Sequence, residues 1–163
     1  MLKKINQIKI ENNMATRSVI AKLDSKTKKI KAVYCHNDGY LAHNGCILDS
    51  YYQDESKVDE LLKHGDVSTL DENIGKKINF DDFELRHKNK QCLFYARDRG
   101  EKLANRKPII LEDDIALVEF ADTACDAEYI YMYAFGAWYV YCMAEDNQFR
   151  ELDDVLQSVY KDY

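Results

Sequence analysis

The sequence predicts a single α+β domain, with an antiparallel sheet and short helices packed mainly on one of its faces. Two pairs of segments, one near each end of the chain, alternate apolar and polar residues around a short turn, which is typical of β-hairpins. The segments between them place apolar residues at helical spacing. The 163 residues fit one hydrophobic core better than two, and 46% hydrophobic with 32% charged residues is ordinary for a globular chain.

The first thirteen residues differ in composition from the rest of the chain. They read M-L-K-K-I-N-Q-I-K-I-E-N-N, are rich in Lys, Asn and Ile, and stop at a second methionine, Met14. We interpret residues 1–13 as an N-terminal extension and residues 14–163 as the single domain.

The first hairpin is predicted from residues 16–23 and 29–36, which flank D-S-K-T, a composition typical of turns. Because side chains alternate along a strand, each strand has one apolar face. On the first strand this face holds Val19, Ala21 and Leu23, and on the second it holds Ile30, Ala32 and Tyr34.

The middle of the chain predicts two short helices and a polar connection. Residues 44–52 have apolar side chains at helical spacing, and a second helix follows Asp54 and ends at the capping Gly65. Residues 71–90 are polar and rich in Lys and Asp. We predict that they form a loop with at most one weak strand.

The C-terminal half predicts a short strand, a helix, a second hairpin and a last helix. The strand is residues 91–96, and the helix begins at Asp113 or Asp114 and ends at Phe120. The hairpin reads Y-I-Y-M-Y and then W-Y-V-Y-C-M about F-G, with strong β formers on both strands. The last apolar residues, up to Tyr163, predict an amphipathic helix with Asn147 as its cap.

Charge and cysteine content argue against several classes of protein. A formal charge of −6 disfavours nonspecific binding to nucleic acid, which requires many Lys or Arg contacts to phosphate. Five scattered cysteines without a C-x-x-C pair indicate neither a zinc ribbon nor a closed disulfide framework, and they fit reduced thiols in a cytoplasm. The chain has no signal-peptide pattern and no apolar run long enough to span a membrane. It also lacks the glycine fingerprints of nucleotide cofactor sites, so we expect no cofactor.

The heptad Y-C-H-N-D-G-Y, residues 34–40, mixes groups that bind metals with groups that form turns. Two imidazoles and a carboxylate are a common ligand set for a divalent metal, although the spacing is not that of a helical metal motif. The alternative is a turn at Asp38 and Gly39, with both histidines bonded to backbone groups. We favour the turn and predict no metal and no catalytic residue here. The candidates for ligand or partner binding are His36, Asp38, Tyr40 and His43.

A second candidate site is R-D-R-G-E, residues 97–101, at the end of a strand. Arginines two apart on a strand share a face, where their planar guanidinium groups suit a phosphate or a partner's carboxylates. The alternative is a turn whose own acids pair with the arginines. The residues concerned are Arg97, Asp98, Arg99 and Glu101.

The chain contains twelve tyrosines, and several lie on the second hairpin. Tyrosine combines a large contact area with a polar tip, so an exposed tyrosine face is a possible contact surface for bases or a protein. The same face can instead pack beneath a helix. The residues of this possible surface are Tyr129, Tyr131, Tyr133 and Trp138.

Five motifs in a fixed order resemble a family of small proteins encoded by tailed bacteriophages and prophages. They are M-A-T-R-S-V-I-A, Y-C-H-N-D-G-Y, a G-x-x-L element, K-V-x-x-L-x-x-x-G-D-V-S-x-L and Y-A-R-D-R-G-E, between Met14 and Glu101. Members of that family typically begin M-A/G-T-R-S and often carry Trp at the position of Asn37. The resemblance implies phage origin and expression inside a bacterial cell.

From this resemblance we expect a phage accessory protein that acts by binding in the cytoplasm of the infected host. An antidefence role, such as that of an anti-CRISPR inhibitor, implies as partner a host defence protein complex or a signalling nucleotide. A homo-oligomer is compatible with the sequence. One alternative is a metal-dependent nuclease or phosphodiesterase that uses His36, Asp38 and His43. Another is a virion or assembly component.

Overall fold

A computed structural model describes residues 15–160, which form one mixed sheet of eight strands with helices on both faces. The α+β class is therefore confirmed. The N-terminal extension, Met14 and the predicted helix end at Tyr163 lie outside the described residues.

The sheet has the strand order β4-β3-β2-β1-β6-β7-β8, and β5 pairs with the first half of β2. The strands are β1 (Ser18–Leu23), β2 (Ile30–Cys35), β3 (Val67–Thr69), β4 (Leu93–Phe94), β5 (Ile109–Leu111), β6 (Tyr129–Ala134), β7 (Ala137–Cys142) and β8 (Arg150–Glu151).

Six α-helices and one π-helical segment connect the strands of the described region. The π-helical segment, Leu41–Gly45, continues directly into α1 (Cys46–Tyr51). The other helices are α2 (Glu55–Lys63), α3 (Phe83–Asn89), α4 (Leu103–Arg106), α5 (Asp114–Thr123) and α6 (Leu152–Val159).

Both predicted hairpins are present, but the sheet is not purely antiparallel. β1 pairs with β2 and β6 with β7 in antiparallel register, whereas β1 pairs with β6 and β2 with β3 in parallel register. Parallel neighbours require a long crossover connection, and here the helices supply it. The prediction of an antiparallel sheet was wrong. The alternation of apolar and polar residues identifies each hairpin, but it does not show that the two hairpins pair in parallel through β1 and β6.

Side chains on the two faces of the sheet form two hydrophobic cores. Helices α1, α2 and α6 pack on the face that carries Ile20, Val33 and Tyr131. Helix α5 packs on the other face, against Val19 and Ala21. The predicted faces of β1 and β2 are confirmed, since Ile30 and Ala32 belong to this second core, with Leu23 and Tyr34 packed at its border.

Strands β3 and β5 were not predicted, and the strand predicted over residues 91–96 is only Leu93–Phe94. Three helical segments also differ from the prediction. Residues 71–90 contain helix α3, whose N-terminus is capped by the carboxylate of Asp82. Helix α5 is capped by Asp113 and continues to Thr123. Asn147 is not a helix cap, because α6 begins only at Leu152, and the residues before it form the short edge strand β8.

Between residues 15 and 160, no helix combines the length and the apolar character needed to cross a membrane.

Candidate functional site

The end of strand β2 turns sharply at Asp38 and Gly39. Asp38 has a left-handed backbone with φ of 55°, and the Gly39 N–H donates to the carbonyl of Thr16 at 2.8 Å. A Cβ atom at residue 39 would lie 2.8 Å from Cβ of Ser18 and 2.9 Å from the Thr16 oxygen. Only glycine fits there without a shift, so the interpretation of this pair as a turn is confirmed.

The buried side chain of Asn44 fixes the segment after the turn. Its amide donates to the hydroxyl of Ser18 at 3.2 Å and to the carbonyl of Asn37 at 3.3 Å. Its Oδ1 atom lies 2.8 Å from Nδ1 of His43, whose ring lies 6.2 Å from that of the exposed Tyr40. The imidazole of His43 therefore bonds to a side chain within the turn, as that of His36 does, and the predicted bonds of both histidines to backbone groups were wrong.

The structure does not bring the three residues of the metal hypothesis together. Within residues 15–160, no three His, Cys, Asp or Glu side chains are grouped so that they could hold a metal ion. The ring of His36 bonds to Tyr34 and that of His43 to Asn44, while Asp38 takes the strained position of the turn.

Tyr34 and His36 form a pair on one face of β2, with the Tyr34 hydroxyl 2.6 Å from Nδ1 of His36. Burial lowers the pKa of His36, and the positive charges of Arg17 and Arg106 lower it further. The lowered pKa favours the neutral imidazole, in which Nδ1 accepts from the hydroxyl or donates to it according to the tautomer.

The first half of R-D-R-G-E is a self-paired turn. The carboxylate of Asp98 is fully buried and accepts from the N–H groups of Phe94 at 2.8 Å and Ile78 at 3.1 Å. Arg97 donates to this carboxylate at 2.9 Å and to the carbonyls of Ile74 and Gly75. Arg97 and Asp98 thus hold the loop around β4 together.

The second half of R-D-R-G-E approaches the surroundings of His36 through Arg106. Arg106 donates to Glu101 at 3.1 Å and stacks over the ring of Tyr95 at 4.1 Å. The exposed guanidinium of Arg99 lies over the same ring at 5.8 Å. Arg106 also pairs with Asp66, which accepts from the N–H of Tyr34, so Arg106 and Asp66 connect the two motifs.

A cleft of about 590 Å³ opens beside this connection, between the C-terminal end of α5 and the segment from α4 to β5. We call it the Arg17–Arg106 cleft, and no residue of R-D-R-G-E lines it. Its charged lining comprises Arg17, Arg106, Lys107, Asp66 and Asp126, and its less polar lining includes Tyr34, Ile109, Phe120 and Cys125.

Both arginines of the cleft have acidic partners. Arg17 pairs with Asp126 at 3.0 Å, and that aspartate is 78% exposed. Arg106 pairs with Asp66 at 3.4 Å, where burial raises the pKa of Asp66 while the N–H of Tyr34 and Arg106 lower it. Lys107 has no ion pair within the described residues. The lining therefore carries three cationic and two acidic side chains in a chain of net charge −6.

The tyrosine face of the second hairpin is not an exposed surface. Tyr131, Tyr133 and Trp138 are buried, and their polar tips donate to the carbonyls of Gly39, Gln53 and Tyr52. Tyr129 is partly buried, and its ring stacks on that of Tyr131 at 6.2 Å. The tyrosine face therefore packs beneath helices and is not an exposed contact surface.

Sequence analysis missed most of the cleft. Arg17 stands inside M-A-T-R-S and Asp66 inside G-D-V-S, two motifs that were noted without a chemical role. Arg106 and Lys107 form a basic pair directly before the only proline of the chain. A basic pair at the start of an edge strand is a weak signal that could have marked them.

No protein-family model, no curated protein and no solved structure matches this chain.

Proposed function

We propose that the protein acts by binding, and that the Arg17–Arg106 cleft takes a small phosphorylated ligand of the nucleotide class. The observation that carries this proposal is the juxtaposition of three cationic side chains with the Tyr34 phenol in one cleft. Its volume of about 590 Å³ lies inside the range of about 300–1,000 Å³ typical of small-molecule sites.

The cations of the cleft differ in how easily a ligand can reach them. The pair of Arg17 with the exposed Asp126 is a surface pair, which contributes only about 0–1 kcal/mol, so a phosphate can replace the carboxylate. Lys107 is exposed and has no competing acid among the described residues. Arg106 is held in place by Asp66 and Glu101. A phosphate is therefore expected to bind between Arg17 and Lys107, with Arg106 as a fixed neighbouring charge.

The base or sugar of the ligand would lie against the less polar part of the lining. Tyr34, Ile109 and Phe120 supply this part, and stacking on an aromatic ring tolerates any base. The neutral His36 behind Tyr34 adds no charge to the cleft at neutral pH.

The resemblance to phage proteins gives this binding a biological setting. In that setting the protein is a phage accessory factor in the infected bacterial cell, and it counters a host defence by sequestering its signalling nucleotide. If no nucleotide binds, the antidefence proposal is instead that the protein docks on a host defence protein complex. The net charge of −6 supports such docking, because nucleic-acid-handling complexes present basic surfaces.

The ligand is tested by thermal unfolding of the full chain with a panel of cyclic and linear nucleotides, with inorganic phosphate as a reference. A nucleotide at a hundred times its dissociation constant adds about 2.7 kcal/mol to the free energy of unfolding, which is readily measured. Phosphate alone is expected to give a smaller shift, because it lacks the base.

Two variants test whether such a ligand occupies this cleft. Lys107→Ala and Arg17→Gln each remove one cation and are expected to weaken binding several-fold without loss of fold. Lys88→Ala is the matched control and should bind as the wild type does, because Lys88 is an exposed lysine on α3 that does not line the cleft. Binding that is equal in all three variants would place the ligand elsewhere. No shift with any nucleotide would refute the nucleotide proposal.

The biological setting is tested separately. The protein is produced in bacteria that carry defined defence systems, the cells are challenged with sensitive phage, and whatever binds the protein is recovered. Restored phage growth that is lost with Lys107→Ala would connect the cleft to antidefence. Unchanged resistance across the systems would count against an antidefence role.

A further inference from the structure

Strand β5 is the outermost strand beside the first half of β2, and its apolar side chains are exposed. It pairs through Ile30↔Leu111, Lys31↔Ile110 and Ala32↔Ile109. Ile109 is 41% and Ile110 53% exposed. An edge strand with exposed apolar side chains is a template on which another strand can pair.

The alternation of β2 shows which backbone groups of β5 remain free. The N–H of Tyr34 donates to Asp66 and that of His36 to the carbonyl of Val67, so these two residues point to the side of β2 that holds β3 and β5. Ile30 and Ala32 lie even numbers of positions before Tyr34, so their backbone N–H and C=O groups also face β3 and β5. Their partners Leu111 and Ile109 therefore bond to β2, and the N–H and C=O of Ile110 point outward.

Pro108 supports this orientation. It has the same parity as Ile110, so its missing N–H faces the open edge, which is where strands tolerate proline. No backbone hydrogen bond to the outward side of Ile110 is present within residues 15–160. The open edge therefore offers one complete donor and acceptor pair, centred on Ile110.

We infer that β5 is the interface of a homodimer, in which the β5 strands of two copies pair in antiparallel register about a two-fold axis at Ile110. Two residues that both point toward the partner strand exchange two N–H···O bonds, and Ile110 meets itself in this way on the axis. The two Ile110 side chains then lie on the same face and cover each other, while Ile109 lies opposite Leu111 of the second copy.

Charge selects a second copy of this chain, in antiparallel orientation, as the occupant of this edge. Lys107 precedes β5, and the exposed Glu112, which makes only a surface pair with Lys29, follows it. Antiparallel pairing places the basic start of one strand beside the acidic end of the other, on both sides of the axis. Parallel pairing would place like charges together, which is unfavourable. The strand is thus complementary to itself in only one orientation.

The inference does not rest on the proposed ligand, but the two sites share Lys107. Arg17→Gln, which lies outside β5, is therefore the variant that tests the cleft alone. Lys107 and Ile109 line the Arg17–Arg106 cleft, so the dimer has two clefts flanking its axis.

Sedimentation velocity over a concentration series of the full chain tests the dimer. The wild type should shift from monomer to dimer as concentration rises. Ile110→Lys places a charge on the open edge without disturbing the bonds to β2, and it should raise the dimer dissociation constant by about tenfold or more. Val159→Lys is the matched control, because Val159 is also 53% exposed but lies on α6, and it should dimerise as the wild type does.

Amide hydrogen exchange of the wild type provides a second measurement that needs no variant. The Ile110 amide should exchange more slowly as concentration rises, whereas the amides of Ile109 and Leu111, already bonded to β2, should not change. A monomer at every concentration, a dimer that survives Ile110→Lys, or an Ile110 amide that is insensitive to concentration would each overturn the inference.

Discussion

The hydroxyl of Tyr34 lies 2.6 Å from Nδ1 of His36, and through this contact a residue of the Arg17–Arg106 cleft is tied to the end of strand β2. In the neutral ring Nδ1 can accept from the hydroxyl or donate to it, according to the tautomer, whereas in the protonated ring Nδ1 can only donate. Burial and the nearby Arg17 and Arg106 keep the ring neutral. Protonation of His36 would therefore place a partly buried positive charge near Arg17 and Arg106, which destabilises the folded state.

The pKa of His36 should lie below its ordinary value of about 6.5. Because the folded state holds this proton less tightly than the unfolded state, the free energy of unfolding should fall as pH decreases from neutral through about 6.5 toward the folded pKa. NMR titration of the imidazole measures the pKa, and urea unfolding across this range measures the stability. His36→Gln should remove this part of the pH dependence.

The charges that lower the pKa of His36 can be tested one at a time. Arg17→Gln removes one of them and should raise the pKa of His36. Arg150→Gln removes a surface arginine that pairs with Asp146 instead, and it should leave the pKa unchanged. A wild-type pKa at or above 6.5 would contradict the neutral Tyr34–His36 pair.

The two arginines of R-D-R-G-E should differ sharply in their contribution to stability. Arg97 has a side chain that is 12% exposed and neutralises the buried Asp98, so Arg97→Ala should cost about 3 kcal/mol or more by leaving that carboxylate without its cation. Arg99 is 56% exposed, and Arg99→Ala should change stability by about 0.5 kcal/mol or less. Urea unfolding of both variants measures the difference, and similar losses would contradict the structural role of Arg97.

The local parts of the fold could be predicted, and the long-range parts could not. Alternation along β1 identified the face of Val19 and Ala21 because a strand shows its own period. The parallel pairing of β1 with β6 depends on side chains more than a hundred positions apart, and no local pattern encodes it. Helix α3 was not predicted because it has no apolar stripe. Its apolar residues Phe83 and Leu85 are exposed, and its buried residue is Arg86.

The local features of the candidate site could likewise be predicted, and its long-range contacts could not. The turn at Asp38 and Gly39 follows from turn chemistry alone, as does the pairing of an acid with an arginine in R-D-R-G-E, whereas the burial of Asp98 was not predicted. The cleft is formed by Arg17, Tyr34 and Arg106, which come from three separate segments. Their proximity follows from the split edge of β2, where β5 pairs with its first half and β3 with its end.

Gly39→Ala should destabilise the protein by about 1–3 kcal/mol, a typical cost of overpacking. The added methyl group would meet Ser18, the first residue of β1, and the carbonyl of Thr16, just before it, at less than 3.0 Å. Gly45→Ala is the matched control, because its backbone is helical and a Cβ there meets nothing closer than 3.5 Å. That variant should be neutral or more stable, since alanine favours a helix. Thermal unfolding compares them, and equal losses would show that the turn can relax.

Tyr131→Phe should cost about 1–2 kcal/mol, because it removes a buried bond and leaves an acceptor without its partner. The Tyr131 hydroxyl donates to the carbonyl of Gly39 at 2.7 Å, which ties strand β6 to the turn after β2 across the first core. Tyr139→Phe is the control, since Tyr139 is only partly buried and its hydroxyl has no hydrogen bond within residues 15–160. Urea unfolding should give a lower midpoint with an unchanged slope for Tyr131→Phe only. If both variants matched the wild type, the bond between Tyr131 and Gly39 would contribute nothing to holding the turn.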